Sequence, residues 1–113
     1  MVNRNPVKSW FFTLNNPSEE ETNALVDDLK GLARCATVGK EVGESGTPHL
    51  QGCFVLRDAM KLKDLKNKLN ERAHWEPMKN VKKSREYCKK EGNVILDFGY
   101  PEANIDINKL KLL

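Results

Sequence analysis

The stretch SGTPHLQGCFVL, residues 45–56, decides how the rest of the chain is read. Ser45, Gly46 and Pro48 are turn formers. The eight residues after them, His49 to Leu56, carry no Asp, Glu, Lys or Arg and read as a strand. Successive side chains of a strand point to opposite faces. Leu50, Phe54 and Leu56 therefore share one face, which reads as core, and His49, Gln51 and Cys53 share the other. The chain has only two histidines. One of them stands two residues from a glutamine on the non-core face of an otherwise apolar strand.

Working outward, RCATVGKE (34–41) reads as a strand, and VGESGTP (42–48) as a turn that folds it back on His49–Leu56. Toward the N-terminus, KSWFFTLNN (8–16) is a third strand, ended by Asn-Asn-Pro. Its core face is Trp10, Phe12 and Leu14, and its other face is Phe11, Thr13 and Asn15. SEEE (18–21) opens a helix, with Ser18 as N-cap and Glu21 completing a capping box. Leu25, Val26, Leu29 and Leu32 supply its apolar stripe. MKLKDLKNKL (60–69) reads as a second helix with Leu62, Leu65 and Leu69 inward. AHWEPM (73–78) is a short strand that Pro77 confines to an edge or an end. NVKKSREYCKKEG (80–92) is a third helix, from an Asn80 cap to a Gly92 stop. NVILDF (93–98) is a fifth strand, and the residues from Pro101 onward read as a tail or linker.

The order is β-α-β-β-α-β-α-β. It predicts an α+β domain over residues 1–100 of the ferredoxin-like, RRM-like type: an antiparallel sheet, helices on one face, and the other face open. The open face is expected to carry Phe11, Thr13, Asn15, His49 and Gln51, with His74 and Glu76 beside them. A polar and aromatic sheet face suits single-stranded nucleic acid, through stacking and base-edge hydrogen bonds.

The bulk numbers agree with one modest domain of 113 residues. No apolar run approaches the roughly 20 residues of a membrane span, so no membrane partner is expected. Cys35, Cys53 and Cys88 are odd in number and lack CxxC spacing. That speaks against a disulfide framework or a zinc site, and suits buried thiols in a reducing compartment. The net charge of +3 hides an asymmetry. From Lys61 to Lys90 there are eleven Lys and Arg against four acids. Such a basic block is the footprint of a polyanion, or else a solvated lysine-rich helix surface.

His49 and Gln51 both offer neutral lone pairs. With a carboxylate beside them they form a mixed N/O set suited to Mg²⁺ or Mn²⁺ rather than zinc. Glu41, at the end of the preceding strand, is the candidate; Glu44, in the turn, is the alternative. Alone, the HxQ pattern also fits a surface histidine with its hydrogen bonds satisfied. Tyr87 adds to it. Lys83 lies four residues before Tyr87 and Lys90 three after, so the three share one helical face. A tyrosine among lysines is placed to meet a phosphate, phenolate formation is favoured there, and an activated tyrosine is a competent nucleophile.

Together, FTLNNP (12–17), TPHLQG (47–52) and YCKKEG (87–92), in that order and spacing, resemble the replication-initiator (Rep) endonuclease domain of small circular single-stranded-DNA viruses, the circovirus and nanovirus group. These are HUH endonucleases, named for a His-hydrophobe-His metal motif; here Gln51 stands at the second His, as in circovirus-like members. The resemblance covers roughly residues 8 to 99. It implies metal-dependent nicking and joining of single-stranded DNA at an origin stem-loop, for rolling-circle replication in the host nucleus. It implies Glu41, His49 and Gln51 as ligands of Mg²⁺ or Mn²⁺, Tyr87 as nucleophile, and Lys90 beside the scissile phosphate. Thr13, Asn15 and Asn16 match its DNA-contacting first motif, with Phe11 and Lys83 as further DNA contacts. It also implies a helicase domain after residues 101–113, through which the full-length protein could oligomerise; no GxxxxGK[ST] loop occurs in this chain. Rival readings are a non-catalytic RRM-like single-stranded nucleic-acid binder, or a partner domain that uses the lysine-rich face on protein.

Overall fold

The structure, a computed structural model, describes residues 5–44 and 46–101. The tail expected from Pro101 lies, apart from Pro101 itself, outside the described residues. The elements are β1 (Val7–Asn15), α1 (Glu19–Leu32), β2 (Ala33–Val42), β3 (Pro48–Met60), α2 (Leu62–Lys68), β4 (His74–Pro77), α3 (Val81–Lys89) and β5 (Val94–Phe98). The five strands form one antiparallel sheet in the order β4-β1-β3-β2-β5. Pro77 sits, as expected, on an edge strand. The class is α+β.

Strand parity sorts the residues as alternation requires. Trp10, Phe12, Leu14, Leu50, Phe54 and Leu56 are buried with Leu25 and Leu29 of α1 and Leu65 of α2. Burying an aliphatic or aromatic side chain of this size contributes about 1.5–3 kcal/mol. An exposed ion pair contributes about 0–1 kcal/mol, so α1 and α2 are held by apolar contact. One expected boundary moves. β3 runs on to Met60, which pairs with Val7 across a bulge, and α2 begins only at Leu62, with no side-chain cap at Lys61.

The second face is not left open as expected. α3 lies on it, over β2 and β3. Val81 and Cys88 of the helix pack with Cys35, Cys53, Val55 and Met78 in a second apolar cluster. Gly39 makes the close approach possible: a Cβ there would fall on the Cys88 carbonyl oxygen. The cluster is small, and polar groups reinforce it. Arg85 donates to both Asp97 carboxylate oxygens, at 3.1 and 2.9 Å. Lys89 lies 3.4 Å from the same carboxylate, and the Thr37 hydroxyl donates to it at 2.7 Å. Burial works to raise the pKa of Asp97, but the hydrogen bonds from Arg85 and Thr37 outweigh it and hold the group below its usual value. The open part of this face is thereby reduced to the half over β1 and β4.

The capping box forms as read: the Ser18 hydroxyl accepts from the Glu21 amide, and Glu21 accepts from the Ser18 amide at 3.1 Å. Glu21 does more. Arg72 grips both its oxygens, at 3.1 and 2.8 Å, and Asn70 donates to one at 3.0 Å. Arg72 first, then Asn70 and the Ser18 amide, hold the Glu21 carboxyl down at about 2. A depressed carboxylate stabilises the fold above its unfolded value, and that contribution is lost as pH falls through the folded value. Unfolding midpoints in denaturant will therefore drop between pH 4.5 and about 2 more steeply for wild type than for Glu21→Gln. Parallel pH profiles for the two proteins would contradict this.

Candidate active site

The site grows out of strand register. Asn15, His49 and Glu41 form one row across β1, β3 and β2, and His74, Thr13, Gln51 and Gly39 form the next row, with β4 included. All point to the face that α3 half covers. Glu41 is thus the direct cross-strand neighbour of His49, with its Oε1 3.9 Å from His49 Nε2. Glu44 is exposed in the turn. Gln51 and Glu41 are buried, 3 % and 6 % exposed.

Hydrogen bonds orient the ligand-type atoms. His49 Nδ1 lies 3.2 Å from the Thr47 carbonyl oxygen and donates to it, so its proton belongs on Nδ1 and the Nε2 lone pair is free. That lone pair faces the Gln51 amide at 3.3 Å. The amide nitrogen is set toward His49 here, and rotation of the amide by half a turn brings its oxygen to the same point.

α3 brings the remaining groups from above. The ammonium of Lys90 lies 3.1 Å from Glu41 Oε1 and 3.6 Å from the centroid of the Tyr87 ring. The Tyr87 hydrogen bond, then Glu41, holds the pKa of Lys90 above its usual value, so it stays charged at neutral pH. Tyr87 is 49 % exposed, with its ring 6.0 Å from that of Phe11. Tyr100, the other tyrosine, is placed differently. Its hydroxyl lies 2.7 Å from Thr37 Oγ1 under the Arg85 guanidinium, and burial raises its pKa. A phenol so placed cannot reach a substrate.

A cleft of about 700 Å³ lies between α3 and the uncovered half of the sheet. Phe11, Thr13 and Gln51 form its floor, Glu76 to Met78 one wall, and Asn80, Lys83, Ser84 and Tyr87 the other. His74 lies outside it, exposed, 3.8 Å from the Glu76 carboxylate. Asn15 and Asn16 stand at the end of β1. Asn16 is in the left-handed region, at φ 49°, a conformation asparagine tolerates better than most residues.

The donor set can be tested for a divalent cation on its own features. Among the described residues, no three His, Cys, Asp or Glu side chains converge, so a cation here needs the Gln51 amide. Three observations fit one. Glu41 Oε2 is buried without a hydrogen-bond partner, where a buried acceptor ordinarily has one. The His49 Nε2 lone pair, which faces the Gln51 amide, lies 3.9 Å from the other oxygen of Glu41. Glu91 follows Lys90, and its carboxyl is raised in pKa, first by its hydrogen bond with Glu41 and then by desolvation. A hard cation offsets the mutual repulsion that raises the pKa of Glu91.

The family model described as "Putative viral replication protein" matches residues 7–91. The chain belongs to this family of viral replication proteins. It is 52% identical over 95 residues to the replication-associated protein of Pigeon circovirus, covering 83% of this chain and 30% of that protein. It is 45% identical over 93 residues to that of Beak and feather disease virus, 81% of this chain and 32% of that protein. With Porcine circovirus 2 the identity is 39% over 100 residues, 87% of this chain and 32% of that protein. The chain thus spans about a third of the length of these relatives.

Within this viral replication protein domain the structure brings together Glu41, His49, Gln51, Lys90 and Tyr87, and sets Phe11, Thr13 and Lys83 along the adjoining cleft. Two contributors were missed from the sequence. Glu91 lies in the turn just beyond α3, and no local pattern ties it to Glu41, fifty residues earlier. Asp97 was read only as part of a strand. Nothing local marks it, because its partners Arg85 and Thr37 are distant in sequence.

Proposed function

We propose that this domain nicks and rejoins single-stranded DNA at a replication origin, with Tyr87 as nucleophile and Glu41, His49 and Gln51 holding Mg²⁺ or Mn²⁺. The observation that carries the reading is a convergence. A half-exposed tyrosine and a charged lysine stand on one helix turn, and that lysine reaches a buried carboxylate with an unpartnered oxygen. The strand order β4-β1-β3-β2 agrees with a ferredoxin-like sheet, with β5 added at the β2 edge.

The single strand would run through the cleft beside α3, with bases against Phe11 and Thr13 and phosphates toward Lys83. Tyr87 Oη attacks one phosphorus in line, and its proton leaves through the exposed side of the cleft. The bond from phosphorus to the 3′ oxygen breaks, and that oxygen takes a proton from solvent, leaving a 3′-hydroxyl and a 5′-phosphotyrosine. Bond for bond the exchange is neutral, so a later 3′-hydroxyl reverses it and joins ends. Lys90 stays protonated and steadies the negative charge on the phenolate and the phosphate. When bound, the cation supplies Lewis-acid stabilisation at a non-bridging phosphate oxygen. In a longer protein, a helicase domain would follow this one.

The test uses a single-stranded oligonucleotide pool with a randomised central window, labelled at the 3′ end, incubated with the domain and Mn²⁺. A denaturing gel then shows the label shifted to the mass of protein plus DNA fragment, and sequencing of that band returns one motif. A domain that retards DNA on a native gel yet yields no adduct and no cut would be a binding module, and the endonuclease reading would fall.

A further inference from the structure

Arg72 stands apart from the groups used so far. It lies between α2 and β4, with its side chain 53 % exposed, and bonds to groups on both sides of it. Two of these are the paired bonds to Glu21. Two more run from Nη2 to the carbonyl oxygens of Asn15 and Asn16, each 3.3 Å. Its own amide donates to Asn70 Oδ1 at 2.9 Å. Glu21, itself held by Asn70, thus fixes the guanidinium, whose remaining Nη2 N–H is shared between the two carbonyls where β1 turns into α1. From the other side the Asn16 amide donates to the Pro48 carbonyl at 2.8 Å, and Asn15 pairs with His49. The Asn15–Asn16 corner is therefore clamped between the latch and the strand that bears His49.

We propose that Arg72, braced by Glu21, is a positioning residue for sequence readout. It holds the Asn15–Asn16 corner so that the two amide side chains meet the base edges of single-stranded DNA in one orientation. This rests on the reading of the domain as an origin-binding nickase. A bidentate guanidinium sets angle as well as distance, which a lysine cannot reproduce. Asn and Gln amides discriminate bases only when both their donor and acceptor are correctly aimed. A corner free to rotate about the left-handed Asn16 keeps its side chains and loses their aim.

Two plainer roles predict different outcomes. As a phosphate contact, Arg72→Ala weakens all DNA alike and lowers the salt slope by about one, while Glu21→Gln frees the cation and tightens binding. As a stability element only, both variants lower the melting temperature and leave sequence preference alone. The experiment takes the best sequence selected from the randomised pool and its scramble, and measures both affinities by fluorescence anisotropy at fixed salt. The proteins are wild type, Arg72→Ala, Arg72→Lys, Glu21→Gln, Glu21→Gln/Arg72→Ala and Asn15→Ala/Asn16→Ala; melting temperature and Mn²⁺ affinity are measured alongside.

Expected is a fall in the ratio of scrambled to selected dissociation constants of about tenfold, the discrimination of one well-made base contact. Arg72→Ala, Arg72→Lys and Glu21→Gln all show it, the Glu21/Arg72 double variant shows no more than either single one, and Mn²⁺ affinity is unchanged. A wild-type ratio in Arg72→Ala and Glu21→Gln, beside a collapsed ratio in Asn15→Ala/Asn16→Ala, overturns the latch alone. Absence of any preference in wild type overturns the latch together with the reading on which it rests.

Discussion

Tyr87→Phe is expected to leave the domain folded and able to bind single-stranded DNA, and to abolish both cleavage and the covalent adduct. Only a hydroxyl is removed. The ring keeps its place beside Phe11 and under the Lys90 ammonium, so melting temperature and DNA affinity stay close to wild type. Removing a nucleophile costs on the order of 10⁴-fold or more in rate, which takes cleavage below detection on a gel. Tyr100 cannot substitute, since it is partly buried beneath Arg85 with its hydroxyl against Thr37. Cleavage that persists in this variant without an adduct would mean that water attacks the phosphate. Persistence with an adduct would mean another residue does.

The second large effect belongs to the cation. His49→Ala removes the lone pair that the Thr47 carbonyl holds in place, and Glu41→Gln removes the charge. Losing even an outer-shell partner costs roughly 10–100-fold in metal affinity, so loss of a direct ligand is expected to cost about 100-fold or more. Mn²⁺ binding by calorimetry and cleavage are expected to fall together in both variants. Gln51→Ala loses a neutral ligand, and excess Mn²⁺ partly restores it. A readout independent of activity is thermal. A ligand at about 100 times its dissociation constant adds about 2.7 kcal/mol of stability, so Mn²⁺ raises the wild-type melting temperature and leaves that of His49→Ala unmoved. Equal shifts in the two proteins, or wild-type cleavage that survives a chelator, would remove the cation from this site.

How much of this was visible in the sequence varies from residue to residue. Alternation in β1 and β3 sorted Trp10, Phe12 and Leu14 from Phe11, Thr13 and Asn15 because a half-buried strand has only two sides. The side that α3 covers was not visible. The helix KKSREYCKK shows no continuous apolar stripe, since it is held by Val81, Cys88 and the Arg85–Asp97 pair. Gly39 was the available sign, a strand glycine marking a close backbone approach. The sequence favours Glu41 over Glu44, but only the register of the β2–β3 hairpin decides between them, because a one-residue slip turns a side chain to the opposite face. Glu21 was found as a helix cap and its second role missed, since Arg72 lies 51 residues away and no local pattern joins them.

Gly39 also bears on how a domain of this kind can vary. The last turn of α3 rests its Cys88 carbonyl on a strand position with no side chain, so no rotamer intervenes between helix and sheet. The height of Tyr87 above the floor of the site is then a dimension of two backbones in contact, and it does not drift as side chains exchange conformers. Substitution at Phe11, Thr13 or Lys83 can reshape the lining of the cleft without disturbing that height. The reach of the tyrosine cannot be lengthened by raising the helix unless atoms are placed at residue 39. On the proposed reading, a severed strand that must later return to the same point needs one such fixed length, and here it would be set by the absence of a side chain.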